Sequence, residues 1–174
     1  MGQWYLQKLP GSGALPYEQT DPFAVRWFST LDRRTPQLMI SLSIVIPVYN
    51  GARSIERLVN ELATLKIDGG VEVLLVNDCS PDDSWAVIQR ICAAAPMPVI
   101  AIDLARNFGE HNAVMAGYAS SSGRYIINID DDFQNTPAEV ERLYRHAVAN
   151  DQLDVVYTFY PRKQHSFVRN LGSK

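Results

Sequence analysis

Strand-like and helix-like stretches alternate from residue 42 to residue 159, and this alternation constrains the fold more than any other feature of the sequence. Five short, largely apolar runs have the length and composition typical of buried strands. They are residues 42–48, 71–76, 99–104, 124–130 and 154–159. Stretches with apolar residues at helical spacing lie between them. Repeated strand–helix–strand units predict an α/β fold, with a mostly parallel sheet and helices on both faces.

Two short segments indicate where helices of this pattern begin. Ser80-Pro81-Asp82-Asp83 predicts a helix start, with Ser80 as the cap and the two acids at the positive end of the helix dipole. Thr136-Pro137-Ala138-Glu139 has the spacing of a capping box with proline at the first helical position. We therefore expect a helix directly after each segment.

The two ends of the chain differ from this alternating part. Residues 1–38 are punctuated by proline and glycine and have no clear period, so we expect an irregular N-terminal extension. Residues 39–160 form the predicted domain. Residues 161–174 form a basic tail without an acidic residue, which contains Arg162, Lys163, Arg169 and Lys174. An ordinary solvated tail is the alternative interpretation of these charges.

Size and composition exclude several classes of protein. The 174 residues suit one domain of ordinary size, and the formal net charge of −3 argues against a dedicated nucleic-acid binder. The two cysteines, Cys79 and Cys92, are too few for a disulfide framework, which favours a reducing, cytoplasmic setting. No run of about 18 apolar residues predicts a membrane span.

Polar clusters follow the ends of four predicted strands. They are Tyr49-Asn50, Asn77-Asp78, Arg106-Asn107 and Asp130-Asp131-Asp132. The carboxyl ends of parallel strands meet at one edge of a sheet, and ligands of such folds bind there. We therefore expect the four clusters to converge on one site.

The strongest of these clusters is the run of three aspartates, residues 130–132. Adjacent carboxylates repel one another, and a divalent cation with oxygen ligands would offset that repulsion. Magnesium and manganese typically take one or two carboxylates and add waters and substrate phosphates. A solvated turn before a helix is the alternative interpretation.

Residues of the other clusters suit a phosphorylated ligand. Tyr49 suits packing against a nucleobase, although a tyrosine at this position is more often packed at a rim. Asp78 suits hydrogen bonds from a base or ribose, although Asn77-Asp78 also suits a turn. Arg106 suits a phosphate, and Gly109 permits a backbone approach to it.

Taken in order, the four motifs resemble those of family 2 glycosyltransferases. The motifs are Ile46-Pro47-Val48-Tyr49-Asn50, Val76-Asn77-Asp78-Cys79-Ser80, Arg106-Asn107-Phe108-Gly109-Glu110-His111 and Asp130-Asp131-Asp132-Phe133-Gln134-Asn135. The Asn-Phe-Gly-x-His stretch followed by Met115-Ala116-Gly117 is similar to bacterial polyprenyl-phosphate sugar transferases and dolichol-phosphate mannose synthases. The resemblance covers residues 42–174.

The resemblance implies a GT-A fold and a sugar donor linked to a nucleoside diphosphate, either UDP or GDP. It places Pro47, Tyr49 and Asp78 at the nucleoside, and Arg106 near the nucleotide or its phosphates.

The aspartate run would supply the acids of the family's D-x-D motif, Asp130 and Asp132, as the catalytic pair. Asp132 and Gln134 would approach a magnesium or manganese ion, and Asp130 would approach the sugar or ribose.

The acceptor implied by the resemblance is a polyprenyl phosphate. Arg162 and Arg169 of the basic tail are the candidates for holding its phosphate. The family continues into acceptor-binding and membrane-associated regions, so we expect a cytoplasmic location at the cytoplasmic face of the membrane.

Three alternatives compete with transfer to a polyprenyl phosphate. One is a truncated or inactive module that binds a nucleotide sugar, and another is a family 2 transferase that acts on a sugar hydroxyl. The third, a dinucleotide-binding Rossmann protein, is disfavoured because Asn50-Gly51-Ala52-Arg53 follows the first strand instead of G-x-G-x-x-G.

Overall fold

A computed structural model describes residues 4–8, 26–29, 40–132 and 136–158, the first two ranges by their backbone alone. The described strands are β1 (Trp4–Lys8), β2 (Arg26–Ser29), β3 (Leu42–Val48), β4 (Val71–Asn77), β5 (Val99–Asp103), β6 (Tyr125–Asn128) and β7 (Val155–Thr158). The described helices are α1 (Ile55–Leu62), α2 (Ser84–Ala94), α3 (Glu110–Ser120) and α4 (Pro137–Ala149).

The strands form one sheet in the order β2-β5-β4-β3-β6-β1-β7. The four central strands, β5, β4, β3 and β6, pair in parallel. Strand β1 is antiparallel to both β6 and β7, and β2 is antiparallel to β5. The predicted α/β fold with a mostly parallel sheet is therefore confirmed.

Both faces of the central sheet are buried. Ile44 and Ile46 of β3 join a core cluster that includes residues of α1, α2 and α4. Val45, which points to the opposite face because side chains alternate along a strand, joins a second cluster with residues of α3. Every residue of β4 is buried, including Glu72 and Asn77, and apolar side chains lie on both faces of the strand rather than on one face alone.

Helix α3 packs closely on the sheet because of Gly117. A Cβ atom at this position would collide with the side chain of Val45 in β3. The close approach fixes how the N-terminal end of α3 is presented at the carboxyl edge of the sheet.

Two strands come from the N-terminal segment for which the sequence predicted an irregular structure. That prediction was wrong for Trp4–Lys8 and Arg26–Ser29, because both segments pair with edges of the central sheet. Their sequences lack a clear alternating pattern, and short strands of this kind depend on pairing partners distant in the chain. The remaining residues before Ile40 lie outside the described part.

The start of α2 also differs from the prediction. The helix begins at Ser84, after the N-cap Asp83, and not directly after Ser80. The side chains of Ser80 and Asp82 are engaged with the β3–α1 loop instead. By contrast, the predicted capping box of α4 is present, with Thr136 as the cap and Glu139 as its partner.

Among the helices of the described part, none has the length and apolar character needed to cross a bilayer.

Candidate functional site

A cleft of about 380 Å³ lies at the carboxyl edge of the parallel strands. Residues from the ends of β3, β4, β5 and β6 line it: Pro47, Val48, Tyr49, Asp78, Asn107, Gly109, Glu110, Asp130, Asp131 and Asp132. The four strand-end clusters of the sequence therefore each contribute to one cleft, as the topology of a parallel sheet predicts. All the charged residues in this lining are acidic.

A larger hollow of about 520 Å³ runs beside α1, but its chemistry is that of an ordinary helix surface. Its charged residues lie on or next to that one helix, and Arg57 pairs with Glu61 one turn away at 2.8 Å. Such exposed ion pairs contribute little to the stability of the fold, and they do not indicate a ligand site. The cleft at the strand ends is therefore the candidate site.

Residues after β3 and β4 hold the first wall of the cleft in place. The Asn50 N–H donates to Ser80 Oγ at 3.2 Å, and the Gly51 N–H donates to Ser84 Oγ at 2.9 Å. The Ala52 N–H donates to Asp82 at 3.2 Å. These bonds leave Tyr49 at the mouth of the cleft with 52% of its surface exposed. An exposed tyrosine ring on a fixed loop can stack against a planar ligand.

Asp78, at the end of β4, is engaged with the loop that connects β5 and α3. Its carboxylate accepts hydrogen bonds from the Phe108 N–H at 2.7 Å and the Gly109 N–H at 2.9 Å. Only 3% of the residue is exposed. Its neighbour Asn77 donates to Asp103 at 2.7 Å and accepts from the Ser80 N–H at 3.2 Å. Asn77 thus has the turn-forming role that was the alternative interpretation.

Arg106 lies on the same β5–α3 loop but does not line the cleft. Its guanidinium stacks over the ring of Phe108, 4.6 Å from the ring centroid. Phe108 also packs against the apolar cluster beneath α3. The position of Arg106 therefore depends on the position of Phe108. His111, two residues after Gly109, is exposed on α3.

The environment of the aspartate run after β6 disfavours the charged form of two of its carboxylates. Burial raises the pKa of Asp130, and the negative charges of Glu110, Asp132 and Asp131 raise it further. Burial also raises the pKa of Asp131, although the hydrogen bond from Ser54 Oγ, at 3.2 Å, opposes the shift. A Cβ atom at Gly51 would collide with the Asp131 carboxylate, so the glycine makes room for it.

The carboxylates of this run have the oxygen ligands that hard divalent cations take. Asp130 and Asp132 line the same cleft, and both offer oxygen ligands. Within the described ranges, no group of three or more Asp, Glu, His or Cys side chains is arranged so that it could hold a metal ion by itself. Magnesium and manganese typically need only one or two carboxylates, because waters and substrate phosphates complete their coordination.

Three residues expected at the site lie outside the described part: Gln134, Arg162 and Arg169. Their assignments stay predictions from the resemblance.

Sequence reasoning missed two contributors to the cleft. Glu110 lines it, but an acid in the first turn of a helix has an ordinary explanation in the helix dipole, so no sequence signal singled it out. Ser54 fixes Asp131 from 77 positions away in the chain, a contact that only the folded structure shows.

Comparison with known proteins gives one family. Residues 43–174 match the model described as glycosyl transferase family 2. The chain is 39% identical over 142 residues to an undecaprenyl-phosphate 4-deoxy-4-formamido-L-arabinose transferase of Sodalis glossinidius (strain morsitans), covering 80% of this chain and 43% of the relative. It is 41% identical over 135 residues to a transferase of the same name from Pseudomonas syringae pv. syringae (strain B728a), covering 76% and 40%. The chain thus spans less than half the length of these relatives.

Solved structures show the same fold. S. aureus TarS in complex with UDP-GlcNAc superposes with a TM-score of 0.54 at 23% identity, covering 65% of this chain and 32% of that one. A mannosyltransferase from Pyrobaculum calidifontis, in complex with GDP-Man and Mn²⁺, gives a TM-score of 0.50 at 19% identity, covering 55% and 28%. The GT-A fold implied by the resemblance is therefore confirmed.

Proposed function

The chain belongs to glycosyl transferase family 2, and from that membership we propose that its strand-end cleft binds a nucleotide-diphosphate sugar for transfer to a polyprenyl phosphate. The observation that carries this proposal is the convergence of four strand-end motifs on one acidic cleft. The names of the relatives, which specify undecaprenyl phosphate, support the acceptor class.

The nucleoside would lie against the β3 side of the cleft. Tyr49 offers an exposed ring for stacking on the base, and Pro47 shapes the strand end beside it. The donor would be linked to UDP or GDP, since stacking accepts either base.

The diphosphate would lie at the β6 side, where the carboxylates converge. Asp132, together with Gln134, would hold a magnesium or manganese ion. When bound, that ion would stabilise the negative charge that develops on the leaving diphosphate. Asp130, which is more buried than Asp132, would lie towards the sugar or ribose. Without a cation the acidic lining would repel a diphosphate, so we expect donor binding to depend on the metal.

The proposed reaction does not require a general base from the protein. An oxygen of the acceptor phosphate attacks the anomeric carbon of the sugar, and the bond from that carbon to the nucleoside diphosphate breaks. The acceptor phosphate is already an anion at neutral pH, so no side chain has to remove a proton from it. Cationic side chains must hold it instead, and Arg162 and Arg169 of the basic tail are the proposed contacts.

Mass spectrometry of the lipid product tests the proposed reaction. The chain would be incubated with manganese, with UDP- and GDP-linked sugars and with undecaprenyl phosphate, and undecaprenol would serve as the matched control. We expect a sugar-phosphate lipid from the phosphorylated acceptor alone. Product from undecaprenol would favour a transferase acting on hydroxyls. Nucleotide binding without any product would favour a donor-binding module.

A further inference from the structure

The middle carboxylate of the aspartate run faces different neighbours from the carboxylate before it. Burial raises the pKa of both Asp130 and Asp131. Glu110 of α3 raises the pKa of Asp130 further, whereas the hydrogen bond from Ser54, at the start of α1, lowers that of Asp131. Helices α1 and α3 cover opposite faces of the sheet. Asp131 is therefore directed towards the α1 face, and Asp130 towards the α3 face.

A fitted contact holds Asp131 against the β3–α1 loop. Its carboxylate accepts a hydrogen bond from Ser54 Oγ at 3.2 Å. The carboxylate fills space that Gly51 leaves open, because a Cβ atom there would collide with it. Ser54 is the N-cap of α1, yet its hydroxyl does not cap the helix. The hydroxyl reaches the Gly51 carbonyl at 3.1 Å and Asp131, so it links the loop to the end of β6.

The two segments joined by this contact form two walls of the cleft. The β3–α1 loop begins with Tyr49, which we call the nucleoside wall. The aspartate run contributes Asp130 and Asp132, which we call the diphosphate wall. Both walls lie beyond the ends of β3 and β6, where the backbone ladder between the strands has ended. Asp131 and Ser54 connect the walls at this point, and Ser54 itself does not line the cleft.

We infer that Asp131 is a positioning residue, which joins the β3–α1 loop to the aspartate run and so sets the distance between the nucleoside wall and the diphosphate wall. This inference rests on the proposed function. A nucleoside diphosphate spans both walls, so its affinity depends on their spacing. The role requires the acceptor oxygen of Asp131 rather than its charge, and it differs from metal binding.

Two substitutions at Asp131 separate the acceptor oxygen from the charge. Asp131→Asn and Asp131→Ala both remove the charge, but only the former retains an oxygen that can accept the Ser54 hydroxyl. UDP and GDP would be titrated with manganese against both variants and the parent chain. We expect Asp131→Ala to bind the nucleotide about tenfold more weakly than Asp131→Asn, which should bind at least as tightly as the parent. Equal affinities of the two variants would overturn the inference, whether they fall below the parent's, as for a metal ligand, or match it.

The nucleoside alone gives a readout that a general loosening of the fold would not. Uridine, or guanosine if GDP is the nucleotide that binds, would contact the nucleoside wall without reaching the diphosphate wall. Asp131→Ala should therefore keep its affinity for the nucleoside within about twofold of the parent while it loses affinity for the diphosphate. An equal loss for both ligands would contradict a role in the spacing of the walls.

A double-mutant cycle tests the link through Ser54. Ser54→Ala removes the same contact from its other side, so it should add little to the loss of affinity already caused by Asp131→Ala. Fully additive losses would contradict the link. Ser120→Ala is the matched control, because the Ser120 hydroxyl donates to the Ala116 carbonyl at 2.9 Å, at the far end of α3 from the cleft. The control should bind the nucleotide as the parent does.

Amide hydrogen exchange tests the contact without any ligand. The N–H groups of Ser54 and Ile55 donate to the Gly51 carbonyl at 3.0 and 3.1 Å. They should exchange about tenfold faster or more in Asp131→Ala than in Asp131→Asn, while the amides of β4 remain protected in both. Equal exchange in the two variants would overturn the inference even if the parent chain binds a nucleotide. Failure of the folded parent chain to bind either nucleotide would overturn the proposed function, and the inference with it.

Discussion

Asp130 is proposed to bind the sugar donor, but its charge destabilises the folded chain. Its carboxylate is half-buried, and three further carboxylates raise its pKa after burial has done so. Such a group destabilises the folded chain in its charged form. We attribute the presence of this destabilising charge to the cation and diphosphate that would bind in the cleft.

The pH dependence of stability tests this account through Asp130→Asn. This destabilisation is absent below the ordinary carboxyl pKa of 3.8, where Asp130 is protonated in both the folded and the unfolded chain. It is fully present above the raised pKa that Asp130 has in the folded chain. The variant should therefore become more stable than the parent as pH rises, with the gap levelling off once Asp130 is ionised in the folded state. Urea unfolding without added metal, at several pH values from about 3 to about 7, measures the gap.

Asp68→Asn is the control, since Asp68 is exposed in the α1–β4 connection and remote from the cluster. A gap between parent and Asp130→Asn that stays constant with pH would contradict the electrostatic account.

At the scale of elements, the close packing of α3 on β3 presents the β5–α3 loop to the cleft. Gly117 permits this packing because a side chain there would collide with Val45. The helix carries few large side chains on this face, with Ala113 and Ala116 among the residues that contact the apolar cluster.

Gly117→Ala distinguishes packing from helix propensity. In an exposed helix, replacing glycine by alanine stabilises by about 1 kcal/mol. Here we expect destabilisation by about 1–3 kcal/mol, because the added methyl group overpacks the interface. Urea unfolding measures whether the variant is more or less stable than the parent chain.

Adding Val45→Ala to Gly117→Ala should relieve part of that loss, because the smaller side chain makes room for the methyl group. Additive destabilisation in the double variant would argue against a direct clash.

At the scale of the whole molecule, the N-terminal segment completes one side of the sheet. Strand β1 lies between β6 and β7, and in the part of the chain that is described β7 pairs with no other strand. The family match begins at residue 43, so this pairing joins residues outside the match to residues inside it.

Deleting residues 1–8 tests that arrangement by hydrogen exchange. The amides of β7 should lose protection because their pairing strand is gone, whereas β3 and β4 should stay protected by each other. Retained protection of Val155–Thr158 in the shortened chain would contradict the pairing.

The parallel centre of the fold could be predicted from sequence because its signals are local. The run from Leu42 to Val48 is strand β3, and Thr136 caps α4 as its spacing predicted. Strands β1 and β2 could not be predicted, because their pairing partners lie more than 70 positions away in the chain. The start of α2 was missed because Ser80 and Asp82 bind the β3–α1 loop.

The same distinction between what the sequence pattern indicates and what only the folded structure shows applies to the candidate site. The convergence of the strand-end clusters follows from sheet topology and was predictable. The engagement of Asp78 with Phe108 and Gly109 was not, since an aspartate that binds a ligand and one that binds a loop have the same sequence pattern.

Calorimetric titration of UDP and of GDP, with and without manganese, tests the central claim most directly. We predict binding of one of the two nucleotides that requires manganese, is lost in Asp132→Asn and is retained in the control Asp68→Asn. Absence of binding by the folded chain, or binding that is indifferent to both manganese and Asp132, would contradict a donor site at the strand-end cleft.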